Sequence, residues 1–205
     1  MPEEDQIKVW DLINDWCRKA GEAAKAALRE RIRRFAFTLR GRHRKIGEAT
    51  RDRAREAYDS LRPHDPVIRH VWLFADHWVQ ESADEIEEED FDYRNRDARI
   101  DRLRREAMTE IWTERGLEGV KELLTGSGAA GTVGHYMALC VTGLEARGDF
   151  IRRCLSLDGD LRSKSEWCLQ GFLLAIGDDL RAGLLRAAAE GLRQRGCSAL
   201  LLWVM

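Results

Sequence analysis

Three stretches decide the fold: HYMALCV at residues 135–141, WCLQGFL at 167–173 and ALLLWVM at 199–205. They start 32 residues apart. Each is the apolar centre of an expected helix, and a recurrence near this length marks stacked supersecondary units. A more charged helical segment runs ahead of each: RGLEGVKELL, RGDFIRRCLS and DLRAGLLRAA. Their inward positions align as Val120, Leu123 and Leu124, then Ile151, Cys154 and Leu155, then Leu184 and Leu185. Glycine-bearing turns, TGSGAAG, LDGD and RQRG, separate the helices. One such pair cannot bury its apolar side alone, whereas stacked pairs share a continuous core. The spacing therefore predicts an all-α protein, a helical-repeat (α-solenoid, HEAT-like) stack of antiparallel helix pairs over residues 97–205. A helical bundle with chance spacing is the competing arrangement.

The third stretch ends on bare apolar side chains. Leu200, Leu201, Trp203 and Val204 left uncovered would show roughly several hundred Å² of apolar surface, which monomers rarely tolerate. This end is expected to meet another protein, the rest of a longer chain or a second copy of itself, unless it closes the stack as a lid.

Upstream, residues 1–62 read as a section of long helices. Ile7, Trp10, Leu12, Ile13 and Trp16 form one apolar stripe, interrupted near Gly21. Leu28, Ile32, Phe35 and Leu39 form another. The segment GEATRDRAREAYDSLRP offers only Ala54, Ala57, Tyr58 and Leu61, so most of its faces are expected to be solvated. Residues 63–96 read as a buried linker helix followed by an acidic loop. Asp65 before Pro66 is a helix start, an acceptor at N-cap followed by a residue whose missing N–H costs nothing. The carboxylates between Glu81 and Tyr93 repel one another and favour an exposed loop. Regular helix resumes by Asp97, with Ile100, Leu103, Ala107, Met108, Ile111 and Trp112 on one face, and ends near Gly116.

Composition bounds the partners. With 44% apolar and 34% charged residues the 205-residue chain reads as a folded, charge-rich soluble protein. Its net charge of -2 argues against a surface built wholly for nucleic acid or anionic lipid. No apolar run approaches the roughly 18 residues of a membrane span, and no signal peptide is recognisable, so the expectation is a cytoplasmic protein without membrane contact. The five cysteines include no CxxC pair, and Cys140, Cys154, Cys168 and Cys197, in apolar helix-like surroundings, read as small hydrophobes.

No motif announces a reaction. GSGAAGTVG, residues 126–134, lacks the preceding strand and following Lys-Ser/Thr of a phosphate loop, and reads as a connector. His70 and His77 lie two helical turns apart, about 10 Å along an axis, too far to share a metal. Asp76 beside His77 could fix one imidazole tautomer, but no nucleophile accompanies them. His135 reads as a satisfied core histidine. The acidic run lacks the order and central glycine of a calcium loop. No catalytic residue, metal or cofactor is expected, and the chain reads as a non-enzyme.

The strongest local signal is basic. RERIRRFAFTLRGRHRK, residues 29–45, carries seven arginines and Lys45 against Glu30 alone. Arg31, Arg33, Arg34, Arg40, Arg42, Arg44 and Lys45 would neutralise phosphates in a nucleic-acid-binding alternative, with salt-sensitive affinity. Plain solvation, or pairing with the acidic block at 81–92, accounts for the same charge without a ligand.

The stretch LRPHDPVIRHVWLFADHWVQ, followed by DARIDRLRREAMTEIWTERGLEGVKELL and VGHYMAL, resembles helical segments of large bacterial multidomain proteins, many of antiphage-defence type. The likeness covers about residues 61–140. It implies a piece of a helical repeat-like region that acts as scaffold or sensor beside an enzymatic or nucleotide-binding module. It carries over no active-site residue, because none lies in the matching part.

Overall fold

A computed structural model of the chain describes residues 3–17, 19–36, 48–79 and 93–194. Among them every regular element is a helix. They group into two compact units, Met1–Arg69 with Val79–Ile100 and His70–Trp78 with Asp101–Met205. Residues 63–96 thus contribute to both.

The first unit contains α1 (Glu3–Cys17), α2 (Glu22–Ala36) and α3 (Glu48–Ser60). Both α1 and α2 pack on α3. Ile32, Ala57, Tyr58 and Leu61 form the centre, with Trp10, Ile13 and Leu28 packed around it. The sparse apolar content of α3 still gives it one covered face: Thr50, Ala54, Ala57 and Tyr58 are buried, while Asp52, Arg53, Glu56, Asp59 and Ser60 are exposed, as expected. Alanine is the reason, since a side chain this short lets a neighbouring helix approach and cover the backbone. The single stripe expected on α1 divides instead. Trp10 and Ile13 face the core, while Leu12 is 68% and Trp16 43% exposed.

Asp65 caps as expected. Its Oδ1 accepts from the backbone N–H of Val67 and Ile68 at 2.8 and 3.2 Å, one residue beyond Pro66. The linker helix that follows is short: α4 (Pro66–His70) gives way to a 3-10 turn, Val71–Phe74. Leu73 and Phe74 are buried, but Trp78 is 57% exposed. The acidic residues 80–92 lie outside the described part.

Helix α5 (Tyr93–Gly126) starts ahead of Asp97 and breaks at Gly116, where φ is +55°. That is left-handed backbone, which glycine alone adopts without steric penalty. On either side of the break Ala107, Met108 and Ile111, then Val120, Leu123 and Leu124, are at most 1% exposed. The next turn is tied at Ser127, whose hydroxyl donates to the Phe74 carbonyl at 2.7 Å and accepts from the Ala129 N–H at 3.0 Å.

Four helices complete the second unit: α6 (Ala130–Cys140), α7 (Leu144–Leu155), α8 (Leu161–Ala175) and α9 (Asp178–Gln194). Alternate helices pack on one another, α6 on α8 and α7 on α9, and α7 also meets α8. The α6–α8 contact corrects the reading of GSGAAGTVG as a mere connector. Gly131 and Gly134 stand inside α6. A Cβ on Gly134 would collide with the Cys168 backbone carbonyl, and one on Gly171 with that of Gly131. These glycines let two helix backbones touch. Between α7 and α8, Phe150 packs on Phe172 with ring centroids 4.7 Å apart, a pairing worth about 0.5–1.5 kcal/mol beyond its burial.

Candidate functional site

Much of the charge read from the sequence is spent inside the fold. Arg147, in the second turn of α7, reaches back to the end of α6, donating to the Val141 and Ala138 carbonyls at 2.9 and 3.4 Å. Arg181 repeats the arrangement one helix pair later, donating from α9 to Leu173 and Ile176 at the end of α8 at 2.8 and 2.9 Å. Each arginine stands four residues after a turn glycine, Gly143 or Gly177. A helix end leaves its last carbonyls without intrahelical partners and carries partial negative charge, so a guanidinium placed there satisfies both.

The same solution appears elsewhere in each unit. Arg104 donates to Leu73, Asp76 and His77 carbonyls at 2.9, 3.1 and 3.1 Å. Lys164 donates to Leu124 and Thr125, Arg69 to Pro63 and His64, and Arg96 to Val79. Arg29 donates to the Tyr58 carbonyl at 3.0 Å and lies 3.9 Å from the Tyr58 ring centroid. Burial pushes the Arg29 guanidinium below its ordinary value.

These ties bear on the basic stretch proposed for nucleic acid. Arg31 is exposed. Arg33 is 7% exposed and holds both Glu30 carboxylate oxygens at 2.7 and 2.8 Å. The side chain of Arg34, together with Arg40, Arg42, Arg44 and Lys45, lies outside the described part. So do Leu200, Leu201, Trp203 and Val204, the residues expected from the sequence to form an apolar partner contact.

One polar cluster gathers on α5 and α6. Asp101 accepts from Arg105 at 2.8 Å and from the Tyr136 hydroxyl at 2.9 Å. The Arg105 hydrogen bond first, then that from Tyr136, holds the Asp101 carboxyl below its usual range against the opposing effect of burial. Burial first, then the bond to Asp101, pushes the Tyr136 phenol up. The outcome is an ionised carboxylate gripped by two donors and a phenol fixed as a donor. His135 beside it is exposed, not the core histidine expected. Its place on α6 is set by Tyr136 and Met137, which take the buried positions.

Along the same face of α5 runs a groove of 460 Å³ lined by Arg105, Glu106, Thr109, Glu110, Thr113 and Glu114. His70 Nε2 meets Glu110 at 2.6 Å, and Cys140 Sγ lies 3.5 Å from Thr109 Oγ1. His77 pairs with Thr132 at 3.3 Å. His70 and His77 thus have separate partners. Among the described residues no three His, Cys, Asp or Glu side chains converge as a metal set.

Apolar surface accompanies this polar face. Leu139, Leu144, Trp167 and Leu174 are 39%, 61%, 60% and 47% exposed in the second unit. In the first, Val9, Leu12 and Trp16 recur at three and four along α1 and are all more than 40% exposed. Sequence periodicity missed that second face because the α1 residues that meet the core stand beside those that do not. Among the described residues no helix is long and apolar enough to cross a membrane. Compared with family models, curated proteins and solved structures, the chain matches none.

Proposed function

We propose that this chain is a helical-repeat module of the α-solenoid, HEAT-like kind, working as a non-catalytic scaffold or sensor that binds another macromolecule. The observation that carries the reading is the packing of alternate helices, α6 on α8 and α7 on α9. The arginine tie repeated at Arg147 and Arg181 supports it. Modules of this kind act through extended faces, and the exposed Trp167, Leu174, Leu139 and Leu144 supply apolar contact area there. The resemblance over residues 61–140 is what supports reading the module as part of a larger bacterial, defence-type assembly. Leu200, Leu201, Trp203 and Val204 are its proposed contact with a partner or a second copy.

Light scattering of the full chain beside Leu201→Glu, Trp203→Glu and Trp167→Glu tests this reading. Self-association that the three substitutions relieve, with helical circular dichroism retained, is the expected result. A monomer indifferent to all three removes the apolar contact from the proposal.

Nucleic-acid binding through residues 29–45 is the second reading, favoured by the exposure of Arg31 at the start of that run. It requires affinity that falls steeply with salt and a slope that lessens when Arg40 and Arg44 become glutamate. A flat slope eliminates it.

A further inference from the structure

We propose that Cys154 and Cys168 form an oxidant-responsive clasp: a peroxide joins them in a disulfide when the α7–α8 hairpin opens, and the bond then holds the two helices together. This inference stands on the hairpin alone and does not need the scaffold reading.

Neither cysteine is in a disulfide, and both are at most 1% exposed. The Cys168 thiol lies close enough to Cys154 to interact with it. Hairpin register places them together independently. Phe150 packs on Phe172, and one turn along each helix toward the connecting residues 156–160 brings Cys154 opposite Cys168. Cys140, at the end of α6, lies beside Thr109 instead.

The closed hairpin protects the pair. Interaction with Cys154 and burial push the Cys168 thiol well above its ordinary range. Thiolate is the nucleophile toward peroxide, so the buried pair is nearly inert. Separation of α7 from α8 admits water and oxidant together, and local opening of this kind precedes global unfolding. One thiol then loses its proton and attacks the peroxide O–O bond, giving a sulfenic acid and releasing an alcohol, or water from hydrogen peroxide. The second thiol attacks the sulfenic sulfur; the S–S bond forms and water leaves. Two electrons and two protons pass from the thiols to the peroxide. Reduction by an external thiol reverses the clasp.

The test uses the full chain with hydrogen peroxide at increasing sub-denaturing urea, followed by iodoacetamide and digestion without reductant. Mass spectrometry should find a Cys154–Cys168 linked peptide, lighter by two hydrogens than the reduced pair. It should form several-fold faster as urea rises and disappear with dithiothreitol. Oxidised wild type should melt at a higher temperature, whereas peroxide should leave the melting of Cys154→Ala and Cys168→Ala unchanged. The linked peptide from wild type decides the matter even where those variants fold poorly. Absence of the link at urea concentrations where iodoacetamide labels both thiols would overturn the clasp, and a rate indifferent to urea would overturn its control by opening.

Discussion

The two units solve the same problem, hiding the flank of a helix, by different means. In the first, a few large side chains gather on an alanine-bearing helix, with Tyr58 covered by Arg29 from α2. In the second, glycine brings α6 and α8 to backbone contact and phenylalanine fills the gap between α7 and α8. A core of large side chains on alanine can give way by rotamer change. A backbone-to-backbone contact has nothing to rotate, so it tolerates added volume least.

The comparison can be broken most forcefully at Phe172. Phe172→Ala should cost about 3–5 kcal/mol, the range for emptying an aromatic site in a core. Hydrogen exchange should rise across α6–α9 and leave α1–α3 unchanged. Equal loss of protection in both would make them one cooperative body and end the contrast.

Glycine sharpens it next. Gly134→Ala should cost about 1–3 kcal/mol by overpacking, because the new methyl meets fixed backbone. At Gly21, where nothing stands within 4 Å, alanine should change stability by less than about 0.5 kcal/mol. Urea midpoints of the two variants provide the measurement. Comparable losses would show that backbone contact is not what holds α6 to α8.

The arginine ties come third. Arg104→Met strands three carbonyls and should cost about 1–3 kcal/mol, the penalty for a buried acceptor left unmet. Arg29→Lys keeps its charge but loses the planar fork over Tyr58, and about 1 kcal/mol with it. Thermal melts of both variants should preserve that order.

The smallest effect concerns pH. Asp101 has a depressed pKa in the folded state, so its contribution is present above the unfolded carboxylate range. That contribution is lost as acid carries the pH down through the folded value. Asp101→Asn should therefore lower stability slightly at neutral pH and make acid unfolding less steep. An unchanged acid profile would mean that the Arg105 and Tyr136 bonds carry no linkage.

What could be read from the sequence was whatever is local. Asp65 with Pro66 announced a helix start, and Gly116 a break, because capping and left-handed backbone depend on a few adjacent residues. Of the eight inward positions, Val120, Leu123, Leu124, Ile151, Cys154, Leu184 and Leu185 are buried and Leu155 is half-buried, since 3.6-residue periodicity reports a helix face directly. Gly131 and Gly134 misled because glycine marks a turn and a close helix contact with the same letter. The exposed side of α1 misled because tryptophan and leucine look alike on either face. The arginine ties are tertiary and left no motif, although the two spacings Gly143 to Arg147 and Gly177 to Arg181 were there to be noticed. Candidate interaction residues at 40–45 and 200–204 remain readings of sequence, resting on charge and hydropathy alone.

Those ties have one consequence for handling the protein. Trypsin needs the arginine side chain free to enter its specificity pocket and the flanking peptide extended. Arg104, Arg147 and Arg181 offer neither while they grip the carbonyls of neighbouring helix ends, so digestion at these three sites should wait until the helices part. Cleavage at these three positions would therefore report the parting of the helices they tie.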